Sequence, residues 1–258
     1  MPEDPPASAG LPNRDQAMLE NPMLRRPKLL VTASEPFAGL LRSSAQEVAR
    51  LLQAGALEPF DLTVAVLPVD FGALPDIVAK IVDEAQPDFA IGMGVELGSP
   101  VIRLETVSLN VADFPIADNV GNFVRATIPF PGSAVARAGS WFAADLARGL
   151  RKQGIPAITS HFAGTHLCNL TYYAMLQCLE RVNPDAVSGY IHLPLLPENV
   201  AEMITHRESI PDTSPPPDAV LPSMSLELQL SAVRALLALM APRPLPVRPL
   251  DGRASDAI

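Results

Sequence analysis

The feature that most constrains this chain is an alternation. Short apolar runs of strand length take turns with stretches whose apolar residues recur at helical spacing. Lys28–Thr32, Leu62–Leu67, Phe89–Met93, Ile155–Thr159 and Val187–Leu193 read as buried strands. Leu104–Asn110 alternates as a half-exposed strand should. Between them, a helix is expected from Ser44, with Glu47 three residues on as a capping box. Further helices are expected over Ala73–Glu84, Ser133–Gln153, Leu167–Val182, Pro197–Ile204 and Leu226–Met240. Such an order predicts an α/β protein, a three-layer α/β/α sandwich around a mostly parallel sheet. In sheets of that kind, sites form where strands end and helices begin.

The length of 258 residues suits one domain with a sizeable core. Six of the 28 prolines fall in residues 1–27 and nine in residues 209–258. Residues 1–27 and 241–258 therefore read as flexible tails, Pro211–Pro222 as a loop, and residues 28–240 as a single folded domain. A formal charge of −9 argues against nucleic acid or an anionic membrane surface, both of which need clustered Lys and Arg. No apolar run approaches the length of a membrane span. The acidic, proline-rich start shows no secretory pattern, so a cytoplasmic protein is expected. The two cysteines, Cys168 and Cys178, fall on one expected helix roughly 15 Å apart, too far for a disulfide. Cys168 is left as a free thiol and Cys178 as core filling.

The stretch Ser160-His161-Phe162-Ala163-Gly164-Thr165-His166-Leu167-Cys168-Asn169 joins a strand to a helix through a glycine. Cys168 would sit in the first helical turn, where unpaired amides and the macrodipole favour a thiolate. Gly164 allows the sharp turn and leaves room beside the sulfur. Taken alone, such a cysteine is more often a small buried hydrophobe. A nucleophile also needs a base and a group to orient it. His192 ends a strand and is followed by two prolines, Pro194 and Pro197, a rigid mount for a base. Glu105 is the only charge in Leu104-Glu105-Thr106-Val107-Ser108-Leu109, although an acid on a half-exposed strand usually faces solvent. A zinc site of His161, His166, Cys168 and His192 is the weaker reading, because the spacing matches no common structural site. Gly92-Met93-Gly94 with Gly98 imitates a dinucleotide loop but has the wrong spacing and no following helix.

Taken together, these motifs resemble the pyroglutamyl peptidases (pyrrolidone-carboxylate peptidases), a family of cytosolic cysteine peptidases. The opening Lys28-Leu29-Leu30-Val31-Thr32-Ala33-Ser34-Glu35-Pro36-Phe37-Ala38-Gly39 is similar to the family's K-x-L-V-T-G-F-E-P-F-G-G. Leu67-Pro68-Val69-Asp70-Phe71-Gly72, Leu104-Glu105 with Asn110, and Asp118-Asn119-Val120-Gly121-Asn122 follow in order. Ala163-Gly164 with Leu167-Cys168-Asn169, Tyr190-Ile191-His192-Leu193-Pro194, and Pro222-Ser223-Met224-Ser225 complete the match. The resemblance implies a phosphorylase/hydrolase-like α/β/α globule, often a homo-oligomer (tetramer or dimer). It also implies Cys168 as nucleophile, His192 as base and acid, Glu105 as the orienting carboxylate, and no metal or organic cofactor. The implied substrate is an N-terminally blocked peptide or small amide, from which a pyroglutamyl group is removed.

The departures gather around the acyl pocket. Ser34 stands where the family has an aromatic that grips the lactam, leaving Phe37. Val95 replaces a glutamine, Ser99 and Pro115 replace arginines, and Ala33 replaces a glycine. The expectation is an intact triad beside a wider, less polar pocket formed by Ser34, Phe37 and Val95, with Glu96 as a new charge.

Overall fold

The computed structural model describes residues 25–208 and 221–241. Most of both expected tails and of the Pro211–Pro222 loop lies outside the described residues. Of the first segment, Arg25 pairs with Asp88 at 2.6 Å and Arg26 donates to the Phe60 carbonyl at 2.5 Å.

Strands β1 (Lys28–Ser34), β2 (Asp61–Leu67), β3 (Phe89–Val95), β4 (Ile102–Glu105), β7 (Ala157–Ser160) and β8 (Val187–Leu193) form one sheet in the order β2-β1-β3-β8-β4-β7. Neighbours are parallel except β4 and β8, so β4 and β7 run against the other four. A small ribbon pairs β5 (Val107–Leu109) with β6 (Ala136–Ala138). The helices are α1 (Ser44–Gln53), α2 (Leu74–Ala85), α3 (Ala143–Lys152), α4 (Leu167–Val182), α5 (Pro197–Glu208) and α6 (Leu226–Met240).

The sheet is apolar on both faces, as parallel strands between helical layers must be. Leu29, Val31, Ile91, Met93, Ile191 and Leu193 pack with α1, α3 and α6 on one face. The alternate residues Leu30, Ala90 and Tyr190 pack with α2 and α4 on the other. Each large side chain so buried contributes about 1.5–3 kcal/mol. Helix α4 has no single apolar stripe, because it is enclosed between the sheet, α2 and the β5–β6 ribbon.

Three local expectations are corrected. The cap of α1 is Ser43, whose hydroxyl accepts from Gln46 N at 3.3 Å; Ser44 is buried and donates to the Pro194 carbonyl. The expected strand Leu104–Asn110 divides after Glu105, where Thr106 N turns to the Ser160 carbonyl and β5 joins the ribbon instead. The expected helix Ser133–Gln153 begins only at Ala143. Its first ten residues supply β6, then Gly139 N bonds Thr106 O and Trp141 N bonds Ser188 O. A β-carbon on Gly189 would lie 2.1 Å from the Trp141 ring, so the indole needs that glycine to dock. Tertiary contacts outweigh helical periodicity there.

Candidate active site

The strand period of two decides which side chains meet. Ile102 and Leu104 of β4 belong to the α1/α3/α6 face, so Arg103 and Glu105 project to the face covered by α4. On β8 the same parity sends Tyr190 and His192 there, since Ile191 and Leu193 face the other way. Register then places Arg103 and Gly94 on either side of His192, with Glu105 and Gly92 on either side of Tyr190. Opposite this patch, Gly164 takes a φ of 79° and turns the chain from β7 into α4, whose second residue is Cys168.

Glu105 and His192 come together: His192 Nδ1 lies 2.9 Å from Glu105 Oε1, with Glu105 0% and His192 2% exposed. Nδ1 is committed to Glu105, which leaves Nε2 for another partner. Burial would strip the imidazolium of its proton. The neighbouring Cys168 and Glu105 outweigh it and push His192 up to about 10. Burial likewise works against ionised Glu105, but the His192 bond and charge, with help from Ser160 and Arg103, hold it below its ordinary range. Arg103 Nε sits 3.3 Å from Glu105 Oε1, and its Nη2 donates to Ser160 Oγ at 2.8 Å. The main-chain carbonyl of Glu105 accepts from Trp141 Nε1 at 2.9 Å and Tyr172 OH at 3.3 Å. The carboxylate is thus fixed from its backbone outward.

The sulfur is placed by close packing. A β-carbon on Gly94 would lie 2.7 Å from Cys168 Sγ and 2.8 Å from Tyr190 OH, and one on Gly92 would lie 2.3 Å from the Tyr190 ring. The Gly-x-Gly pair therefore makes room for a ring and a sulfur. Tyr190 OH and Cys168 Sγ crowd the same point over Gly94, and the tyrosine proton is held far more tightly than usual by burial first and the neighbouring sulfur second. Asn169 locks the start of α4 to β5: its side chain accepts from Leu109 N and donates to Leu109 O, both at 2.8 Å. Helices α1 and α6 are capped by Ser43 and Ser225, but His166 at the α4 N-cap makes no capping bond. No side chain at the cap competes for the first amides of α4. Gly94→Ala is expected to cost about 1–3 kcal/mol in urea denaturation by overpacking, and to lower activity with it by displacing the sulfur.

Ser34 and Phe37, with Pro68, Val69 and His166, line a crevice against Cys168 with room for about 10 Å³. The crevice is narrow. The segment leading into it is buttressed by the Asp118 loop: Asn119 Nδ2 donates to Glu35 Oε1 and the Pro36 carbonyl, each at 2.9 Å. Asp118 is itself buried and accepts from Phe71 N at 2.8 Å and Asn122 N at 2.8 Å. Val95 is corrected: its side chain packs into the core on the opposite face, one residue out of phase with Gly94. Glu96 Oε2 does approach, 4.0 Å from His192 Nε2. A groove of about 570 Å³ elsewhere, lined by Trp141, Phe142 and Leu239, touches none of Glu105, Cys168 or His192. Chemistry rather than size favours the smaller crevice.

The zinc set weighed from the sequence is not assembled. His161 Nδ1 lies 2.7 Å from Thr106 Oγ1, and no group of three His, Cys, Asp or Glu among the described residues is placed to hold a metal. No helix among the described residues is long and apolar enough to cross a membrane. Sequence reasoning gave no role to Arg103, Trp141 or the hydroxyl of Tyr190. Tyr190 was within reach, two residues before His192 on a strand and so on its face.

Comparison with known proteins places the chain in a family. A family profile described as pyroglutamyl peptidase matches residues 27–241. The pyrrolidone-carboxylate peptidase of Pyrococcus furiosus is 30% identical over 210 residues, 81% of this chain and 96% of that protein. The enzyme of the same name from Chromobacterium violaceum is 37% identical over 174 residues, 66% of this chain and 79% of that one. A crystal structure of a mutant pyrrolidone carboxyl peptidase from P. furiosus superposes with a TM-score of 0.74 at 30% identity, covering 82% of this chain and 97% of that one. With its whole described core matched in sequence and in fold, the chain belongs to the pyroglutamyl peptidase family of cysteine peptidases.

Proposed function

We propose that the protein hydrolyses the amide bond after an N-terminal pyroglutamyl group, with Cys168 as nucleophile, His192 as acid and base, and Glu105 as the orienting carboxylate. The observation that carries this reading is the buried Glu105–His192 bond of 2.9 Å on the sheet face where α4 delivers Cys168. The sulfur attacks the acyl carbon, and the resulting oxyanion is met by amides of the first turn of α4. His192, held protonated, gives its proton to the departing amine as the tetrahedral carbon collapses to a thioester. It then takes a proton from the water that attacks the thioester, and collapse of that second tetrahedral carbon expels the thiolate and frees pyroglutamic acid, restoring the starting pair. Glu105 fixes the ring so that Nε2 faces the sulfur and compensates the positive charge throughout.

The same reading assigns the protein a single catalytic domain over about residues 28–240, a reducing cytoplasmic setting that keeps Cys168 and Cys178 as thiols, and a homo-oligomeric state. Light scattering of the purified full chain tests the last of these. A pyroglutamyl-coumarin amide tests the activity: coumarin release that is blocked by iodoacetamide is the expected result. No release, or release indifferent to thiol alkylation, contradicts the proposal. The same thiol chemistry on a different cyclic acyl group is a second reading, favoured by Ser34 in the crevice where the family places an aromatic. A panel of cyclic acyl amides separates the two.

Glu96 is expected to matter little. It is 40% exposed and 4.0 Å from His192 Nε2, so solvent screens it. Glu96→Gln should change kcat/KM by less than about threefold, with the pH profile nearly unmoved.

A further inference from the structure

One carboxylate oxygen serves two cations at this site. Glu105 Oε1 lies 2.9 Å from His192 Nδ1 and 3.3 Å from Arg103 Nε. Arg103 stands two residues before Glu105 on β4, so both side chains leave the same face of the sheet. The antiparallel register sets Arg103 opposite His192 on β8, and the parallel register sets Glu105 opposite Ser160 on β7. Arg103 Nη2 donates to Ser160 Oγ at 2.8 Å, so the guanidinium is held from two sides. Its side chain is 27% exposed against 0% for Glu105, which places it at the edge of the buried pair.

A count of charges gives such an arginine a purpose. A thiolate at Cys168, an imidazolium at His192 and a carboxylate at Glu105 leave one net negative charge in a buried place. An unbalanced buried charge is costly, and a cluster that carries one sheds it by taking up a proton. The other groups nearby supply no positive charge. Tyr172 on α4 and Tyr190 on β8 are held neutral, by burial first. The β7 neighbour is uncharged Ser160, and His161 beyond it turns to Thr106 Oγ1 at 2.7 Å. Glu96, just past β3, adds a negative charge that is 40% exposed. Among the described residues, Arg103 and His192 are the cations paired with Glu105.

We propose that Arg103 is the balancing cation of this site, a positioning residue that acts through Glu105 to keep Cys168 and His192 in their charged forms. The inference rests on Glu105, Cys168 and His192 being the working set of the proposed peptidase, and it adds what lets their charges coexist in a buried place. Arg103 takes no part in bond breaking.

The test is the pH dependence of Cys168 alkylation by iodoacetamide in the full chain, with tandem mass spectra separating its label from that on Cys178. Arg103→Gln, which keeps a donor and removes the charge, should move the midpoint of the acid limb upward by about one pH unit. At a fixed pH below that midpoint, alkylation should then be about tenfold slower. Arg103→Lys keeps the charge without the fork and should return the midpoint close to the wild-type value. In a Glu105→Gln background there is no carboxylate to balance, so adding Arg103→Gln should leave the midpoint where Glu105→Gln alone puts it. That double variant buries no unbalanced charge, so it is available where Arg103→Gln alone does not fold by circular dichroism. An unmoved midpoint in Arg103→Gln, a lysine variant no better than the glutamine one, or a full shift in the Glu105→Gln background overturns the proposal. No substrate enters this experiment. A protein that shows the shift but does not cleave a pyroglutamyl amide loses the proposed reaction and keeps the role of Arg103; one that cleaves without the shift does the reverse.

Discussion

Cys168→Ser and His192→Ala are each expected to lower kcat/KM for a pyroglutamyl-coumarin amide by roughly 10⁴-fold or more, and the double variant to be no worse than the poorer single. Sulfur and imidazole act as one unit, so the second loss removes nothing still working. Serine lacks the thiol's nucleophilicity, and alanine at 192 takes away both the proton for the leaving amine and the partner of buried Glu105. Circular dichroism should show Cys168→Ser folded, because Cys168 is only partly buried and the change is small. Strictly additive losses would mean that the two side chains contribute separately.

Glu105→Gln carries the second large effect. It keeps the shape but removes the charge that, with Cys168, holds the His192 proton. In wild type the alkaline fall of kcat/KM should lie near the His192 value of about 10; in the variant it should move to lower pH. Stability follows with a definite sign. His192 rises from an ordinary 6.5, so its contribution is complete below that pH and is lost as pH climbs toward about 10. Glu105 is lowered from an ordinary 4.5, so its contribution is complete above that pH and is lost in acid. The difference in Tm between wild type and Glu105→Gln should therefore be greatest between about pH 4.5 and 6.5 and shrink in alkali. Unpairing one member of a buried ion pair costs about 3–5 kcal/mol. A pH-independent Tm difference would show that the charge is not what matters.

The layered fold was legible because strands buried on both faces must be written as apolar runs, and β1, β3 and β8 are. Segments stabilised by distant partners were not. Residues 133–142 carry helical spacing, yet their hydrogen bonds go to β5, Thr106 and Ser188. Glu105 looked like a solvent-facing acid because a sequence does not show that α4 will cover that face of β4. Cys168 and His192 could be singled out locally, from a strand–glycine–helix junction and a strand end. The glycines at 92 and 94 became intelligible only with the β3–β8 register, which sets them opposite Tyr190 and His192. Val95 was misplaced because a motif comparison follows chain position and overlooks strand parity.

The central claim is that the acyl group passes through the sulfur of Cys168. Acid quenching during turnover of a pyroglutamyl ester, followed by peptide mass analysis, reads this directly. The account predicts a pyroglutamyl thioester on the peptide bearing Cys168, and none on that peptide in a Cys168→Ser background. Steady hydrolysis with no acyl group on that peptide, or with the group on another residue, would contradict it.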